Sequence, residues 1–131
     1  MAYQHDGTGI KMTLTAAADL STFQFCFVKI TADNTVNAST GAADLPIGIL
    51  LNKPSAAGEA AEVLVAGITK VKCDGVIAVG TSLGAETAAT ARATSVTAPN
   101  AKPAVGTALE VGAAGKIITA SINCLAAQAG S

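Results

Sequence analysis

The chain has 131 residues, a net charge of -1 at neutral pH, and charged side chains at only 13% of its positions. A nearly neutral chain is a poor candidate for sequence-independent nucleic-acid binding, which needs a basic face against the phosphates. Half of the residues are hydrophobic, which argues against intrinsic disorder, yet only 3% are aromatic and 29 are alanine. The composition therefore predicts one globular domain, with or without an arm, whose core is built from small side chains.

Membrane insertion and secretion leave no signal in the sequence. The longest aliphatic run is Ile49–Leu51, whereas a spanning helix needs roughly 20 apolar residues. The first residues have neither the basic start nor the apolar core of a secretory signal. Cys26, Cys73 and Cys124 are widely spaced and odd in number. They form no CxxC motif and are expected to be buried thiols in a protein made in a reducing cytosol.

Alternation of apolar and polar residues predicts an all-β fold. The three phenylalanines alternate along one predicted strand and are expected to anchor the core from one face. Two segments are ambiguous: Thr15–Leu20 could form one helical turn, and Ala85–Arg92 a short helix, a strand or a loop, with its threonines favouring the last two. In chain order the predicted strands are Ile10–Thr15, Phe23–Thr31, Leu45–Asn52, Glu62–Cys73 with a turn at Gly67, Val76–Val79, Arg92–Thr97, Ala104–Glu110 and Lys116–Cys124.

An internal echo runs through the chain. Pro46–Leu51 is followed by an Ala-Ala-Gly turn ending at Gly58, and Pro103–Leu109 by a second one ending at Gly115. Gly48 and Gly106 occupy matching places inside the two strand patterns, where glycine indicates a bulge or the close approach of another backbone. Each unit therefore predicts a strand, a turn with a positive φ and a second strand.

The order of these motifs resembles the capsid cement or head decoration proteins of tailed bacteriophages, the DUF2190-type family. The resemblance covers roughly residues 20–124. It rests on Phe25–Lys29, Pro46–Leu50, Ala56–Glu59 leading into Val63–Gly67, Val71–Gly75, Val79–Leu83, and Val105–Glu110 followed by Ala113–Gly115.

The resemblance implies a small β-barrel-like, tulip-like domain at residues 13–124, with an extended N-terminal arm at 1–12 and a tail at 125–131 that is poorly ordered or a short helical end. It implies a virion protein on the outer surface of an icosahedral head, made in the host cytoplasm. Such a protein would be a homotrimer that clamps major capsid subunits of an HK97-type shell. Neither a cofactor nor a metal is expected, and neither nucleic acid nor a membrane is an expected partner.

The polar N-terminal stretch is either a disordered terminus or an arm that adds a strand to the capsid. Tyr3 would be its anchor, because tyrosine suits a partly buried interface. The expected capsid-contacting residues are Ala2, Tyr3, Gln4, His5, Ile10 and Lys11.

Catalytic chemistry finds little support in the residues. His5 is the single histidine and has only Asp6 beside it, and neither a GxSxG elbow nor a phosphate-binding loop is present. Lys70 and Lys72 are expected on one strand face, either paired with Glu62 across the Gly67 turn or facing an acidic capsid patch. The sequence therefore predicts a non-enzymatic protein without catalytic residues.

Two alternatives to a cement protein stay open. One is another self-assembling β module of a phage: a head fibre base, a tail-tube component or a spike component. The other is a small-molecule-binding or enzymatic barrel, against which the few aromatics and the single histidine argue.

Overall fold

The computed structural model describes residues 9–39, 45–85, 90–96 and 104–125. These residues form strands and loops without any helix, so the all-β fold predicted from the sequence is confirmed. The strands are β1 (Ile10–Ala16), β2 (Phe27–Ala32), β3 (Thr35–Ala38), β4 (Gly48–Leu50), β5 (Ala60–Lys72), β6 (Ser82–Ala85), β7 (Ala93–Ser95), β8 (Gly106–Ala108) and β9 (Ile117–Asn123).

Five strands close into a barrel in the order β1-β3-β2-β4-β5. The barrel closes because β1 pairs with β3 in parallel and with β5 in antiparallel fashion. We call this the first barrel. Its interior is filled by small and medium aliphatic side chains, including Leu20, Val28, Val36, Leu50 and Val63.

The 13-residue strand β5 continues beyond the first barrel and starts a second set of strands, β5-β9-β8-β6-β7. The last strand of this set returns to the end of β5 through a parallel bridge between Cys73 and Ala93. We call this set the second barrel. The two barrels thus share β5, and their hydrophobic interiors meet along it.

The two barrels repeat the same backbone pattern. The hairpin β2–β3 with β4 and the first half of β5 corresponds to the hairpin β6–β7 with β8 and β9, while β1 corresponds to the second half of β5. Five backbone hydrogen bonds, each from an N–H to a carbonyl oxygen, recur at equivalent places in the two barrels. With the bond of the first barrel given first, the pairs are Ile47 to Val28 with Val105 to Leu83; Leu50 to Cys26 with Ala108 to Thr81; Leu51 to Glu62 with Leu109 to Thr119; Ala16 to Glu59 with Cys73 to Lys116; and Ala17 to Val36 with Asp74 to Ala93. The echo in the sequence is therefore a structural repeat.

The unusual backbone conformations obey the same repeat. Six of the seven positive φ angles among the described residues form three equivalent pairs: Gly58 (93°) with Gly115 (76°), Phe25 (66°) with Gly80 (84°), and Asn34 (52°) with Ala91 (57°). The seventh, at Gly67 (141°), has no positive-φ counterpart. Gly48 and Gly106 likewise pack against backbone carbonyls of the adjacent strands, β5 and β9 respectively. Both glycine roles that the echo predicts are confirmed.

The prediction that one strand carries all three phenylalanines is wrong. β2 begins only at Phe27, because the preceding residues turn across the end of the first barrel: the N–H of Phe23 donates to Leu20 O, and the N–H of Cys26 to Phe23 O. Phe25 lies in the left-handed region. Only Phe27 is fully buried in the core.

The predicted turn at Gly67 is also wrong, since β5 runs through it without reversal. A methyl group on Gly67 would lie 2.8 Å from the Cα of Gly9, so this glycine admits the chain that enters β1. Val76–Val79 is a loop that crosses the end of the second barrel, and only Ile77 in it forms a bridge, with Gly112. Thr15–Leu20 contains no helical turn.

Other strand boundaries differ in detail. The sequence does not predict β3 and β6, because four residues are too few to show a clear alternation and β6 also contains a glycine. β4, β7 and β8 are three residues each, shorter than the alternation indicates. Of the ambiguous segment Ala85–Arg92, Ala85 ends β6, and residues 86–89 lie outside the described ranges.

Candidate interaction site

The start of β1 carries the two predicted contact residues that lie within the described ranges. Ile10 is 51% exposed and pairs with Ala66 of β5, and Lys11 is exposed and pairs with Leu64. Just before them, a methyl group on Gly9 would lie 2.8 Å from the carbonyl oxygen of Ala66. The point at which the chain enters the barrel is therefore fixed against β5. Ala2, Tyr3, Gln4 and His5 lie outside the described residues.

A cluster of exposed aliphatic side chains lies at one end of the second barrel. Val76 is 85% exposed, Val79 60%, Val111 57% and Leu109 44%. The bridge between Ile77 and Gly112 brings their two loops together. We call this cluster the apolar end.

The repeat provides a comparison for the apolar end. By the matched hydrogen bonds, Val76 corresponds to Asp19 and Val111 to Lys53 in the first barrel. The same loop positions are therefore charged in one barrel and apolar in the other. The fold itself does not require exposed valines there, and exposed apolar clusters of this kind are a common feature of association surfaces.

The described residues offer little to catalysis. They contain no group of three or more histidine, cysteine or acidic side chains that could hold a metal ion. All three cysteines are free and buried, as predicted. Burial raises the pKa of Cys26 to about 11 and that of Cys124 to about 12, so neither thiol is a nucleophile near neutral pH.

A surface groove of about 600 Å³ runs along β2 beside residues 45–47 and Cys124. Its described walls are mainly aliphatic, with Ile30 and Leu45 both partly exposed. Lys29 is the one charged side chain among the described lining residues. These residues do not provide the convergent polar groups of a small-molecule site.

The predicted pairing of Lys70 and Lys72 with Glu62 is wrong. The carboxylate of Glu62 accepts a hydrogen bond of 2.8 Å from the hydroxyl of Thr13 on β1. Lys70 instead lies over the ring of Phe25, with 5.7 Å from its Nζ to the ring centroid. The pairing fails because β5 does not turn at Gly67, so Glu62 and the lysines lie on different barrels.

Within the residues that the structure describes, no helix is long and apolar enough to cross a membrane.

The fold is similar to that of a solved phage protein. The likeness is to the base of a head fibre, described as "head fiber gp8.5 N base in bacteriophage phi29", with a TM-score of 0.62 and 17% sequence identity. The match covers 88% of this chain and 94% of that one. No protein-family model matches the sequence, and no curated protein matches it either. The likeness establishes a shared fold, and the resemblance to the DUF2190-type family stays a prediction.

Proposed function

We propose that this chain is a structural protein of a tailed-phage virion that attaches to the outside of the head as the base of a head fibre. The observation that carries the proposal is the fold likeness to the phi29 head fibre base, which extends over nearly the whole of both chains. Because the match covers 88% of this chain, it includes both barrels and is not limited to one common β motif. It favours the fibre-base alternative over the cement role.

The physical properties of the double barrel suit a structural role. Closure of the strands leaves few free sheet edges, which protects a protein present in many copies from edge-to-edge aggregation. The buried thiols and the absence of a metal cluster among the described residues leave the surfaces as the candidate functional elements. The apolar end offers one such surface for association.

We further propose a homotrimer on an HK97-type shell. Alanine-rich cores bury little apolar area per residue, so a domain of this size benefits from burying more between subunits. Closed symmetry then multiplies each contact with the major capsid protein. The contacts proposed are the arm residues Ala2 to His5 together with Ile10 and Lys11, the last two of which are exposed where the chain enters β1.

A cement role is the second candidate. The observation in its favour is that the glycine echo, on which the resemblance to decoration proteins rests, occupies equivalent places in both barrels. A cement protein and a fibre base would both bind the outer face of the head. They differ in what the distal face of the protein carries.

Cryo-electron microscopy of the virions of the phage that encodes this chain tests both roles. A fibre base should appear at regular positions on the head, and each copy should continue into fibre density. A cement protein should cover the shell without fibres, and its removal should lower the temperature at which heads release DNA. Copies found on the tail, or particles without the chain, would contradict both roles.

Deletion of residues 2–8 tests the arm. Gly9 is kept because it packs against β5, so the circular dichroism spectrum and thermal midpoint should stay unchanged. The number of copies bound to undecorated heads at limiting concentration should fall, because each lost contact is multiplied over the oligomer. Equal occupancy of intact and shortened protein would show that the arm takes no part in binding.

A further inference from the structure

A groove with basic walls lies beside the turn that precedes β2. It has a volume of about 280 Å³, and Gln24, Phe25, Lys53 and Lys72 are among the residues that line it. Lys70 lies over the ring of Phe25. Arg92 lines an adjoining recess that shares Thr22 with the groove. We call the four cations Lys53, Lys70, Lys72 and Arg92, with Phe25 among them, the basic groove.

The cations of the basic groove outnumber the carboxylates beside them in the described part of the chain. None of the four cations forms an ion pair with a described carboxylate. Of the nearby carboxylates, Asp19 accepts hydrogen bonds from the N–H and the hydroxyl of Ser21. Asp74 accepts one from the hydroxyl of Thr90, which lines the same recess as Arg92. Among the described residues, four cations against these two carboxylates are a local excess of positive charge in a chain whose net charge is -1.

The internal repeat shows that the fold does not require these cations. By the matched hydrogen bonds and strand register, Lys70 and Lys72 on β5 correspond to Thr13 and Thr15 on β1. Val36 and Ala93 accept matched hydrogen bonds, so the residues just before them, Thr35 and Arg92, are also equivalent. The first barrel closes with three threonines where the second has three cations. Architecture alone therefore does not account for the charge.

Phe25 provides an independent observation at the same place. Its φ of 66° lies in the left-handed region, which costs a bulky residue of order 1–3 kcal/mol. The equivalent residue of the second barrel is Gly80, which adopts this conformation without strain. The chain thus holds a strained aromatic residue where glycine suffices for the turn. Strain of this kind concentrates at functional positions, and aromatic residues, phenylalanine included, are enriched at protein interfaces.

We propose that the basic groove binds an acidic segment of a partner protein, with the carboxylates of that segment at the lysines and an apolar side chain against Phe25. Charge complementarity selects this partner. Nucleic acid fits less well, because four cations neutralise few phosphates and the rest of the chain carries a net negative charge. The proposal goes beyond the proposed virion role, and it concerns the isolated protein, so it can fail while the virion role stands.

Nuclear magnetic resonance titration of the 15N-labelled protein tests the proposal. The probe is a peptide of eight glutamates that ends in leucine, and a neutral Gly-Ser peptide of equal length is its control. Amide shifts should concentrate at residues 21–25, 53, 70–72 and 92 and should shrink as salt rises. The variant Lys53→Gln/Lys72→Gln should bind roughly threefold to tenfold more weakly, since two exposed charge pairs are lost.

A matched variant separates the groove from net charge. Lys11→Gln/Lys29→Gln removes the same charge from β1 and β2, and neither residue lines the basic groove. It should bind the peptide as the unaltered protein does, whereas Phe25→Leu should weaken binding. Equal loss in the two lysine variants, or shifts concentrated outside the groove, would overturn the proposal. Stronger binding of an octamer of thymidylate at the same residues would overturn the protein partner in favour of nucleic acid.

Discussion

Replacing Gly48 or Gly106 with alanine tests whether the two barrels are packed by the same rule. A methyl group on Gly48 would lie 2.4 Å from the carbonyl oxygen of Leu64 on β5. On Gly106 it would lie 2.5 Å from the carbonyl oxygen of Ser121 on β9. Both neighbours are backbone atoms within paired strands, so they cannot move aside as a flexible side chain would. Either methyl group must push two strands apart.

The magnitude follows from two opposing effects. Overpacking of this kind costs about 1–3 kcal/mol, whereas glycine to alanine within a strand otherwise gains about 0.5–1 kcal/mol from chain entropy. The steric effect exceeds the entropic one, so each substitution should lower the free energy of unfolding by about 1–2 kcal/mol. The thermal midpoint should fall by roughly 3–8 °C for a domain of this size.

Urea denaturation followed by circular dichroism measures the change, and Gly75→Ala is the matched control. A methyl group on Gly75 would meet no atom within 4 Å, and its φ is not positive. This variant should be neutral or more stable by about 0.4–1 kcal/mol. If both β-strand variants were as stable as Gly75→Ala, the close approach would not exist. If only one lost stability, the two positions would not be equivalent.

Three further predictions concern single side chains. The hydroxyl of Thr69 is buried and has no hydrogen-bond partner among the described residues. Thr69→Val should therefore raise the free energy of unfolding by about 1–3 kcal/mol in urea denaturation, and an unchanged or lower value would contradict this. Hydrogen bonds from the side chain and N–H of Thr119 lower the pKa of Glu110 from 4.5 to about 2. The charged carboxylate therefore stabilises the fold above about pH 4.5, and this contribution disappears as pH falls towards 2. The difference in thermal midpoint between the protein and Glu110→Gln should accordingly be constant from pH 5 to 7 and shrink below 4.5, and a difference independent of pH would refute it. Because burial raises the pKa of Cys26 and Cys124 to about 11 and 12, a thiol reagent at pH 8 should label the native protein slowly and all three cysteines after unfolding, and rapid native labelling would show that the thiols are accessible.

The sequence predicts those parts of the candidate site that depend on neighbouring residues, and it does not predict those that depend on residues far apart in the chain. Ile10 and Lys11 could be placed at the start of a strand because their alternation with Met12 is local. The basic groove could not be found that way. Its lysines come from β5 and the loop after β4. Its phenylalanine alternates with Phe27, a pattern that predicts a strand face. Only the turn at Phe25 brings these residues together.

The amino-acid sequence is enough to predict the all-β class, the burial of the three thiols and the equivalence of Gly48 with Gly106. Each of these depends on residue type and on spacings of a few positions, which the alternation of side chains and the needs of tight turns dictate. The pairing of the strands, in contrast, is needed to show that β5 runs straight through Gly67 and belongs to both barrels. Whether a glycine in a strand marks a turn or a close approach depends on what lies beside it, and here that neighbour is Gly9, 58 positions away in the chain. Contacts over such separations leave no local pattern, because they are set by how strands pair and not by the strands themselves.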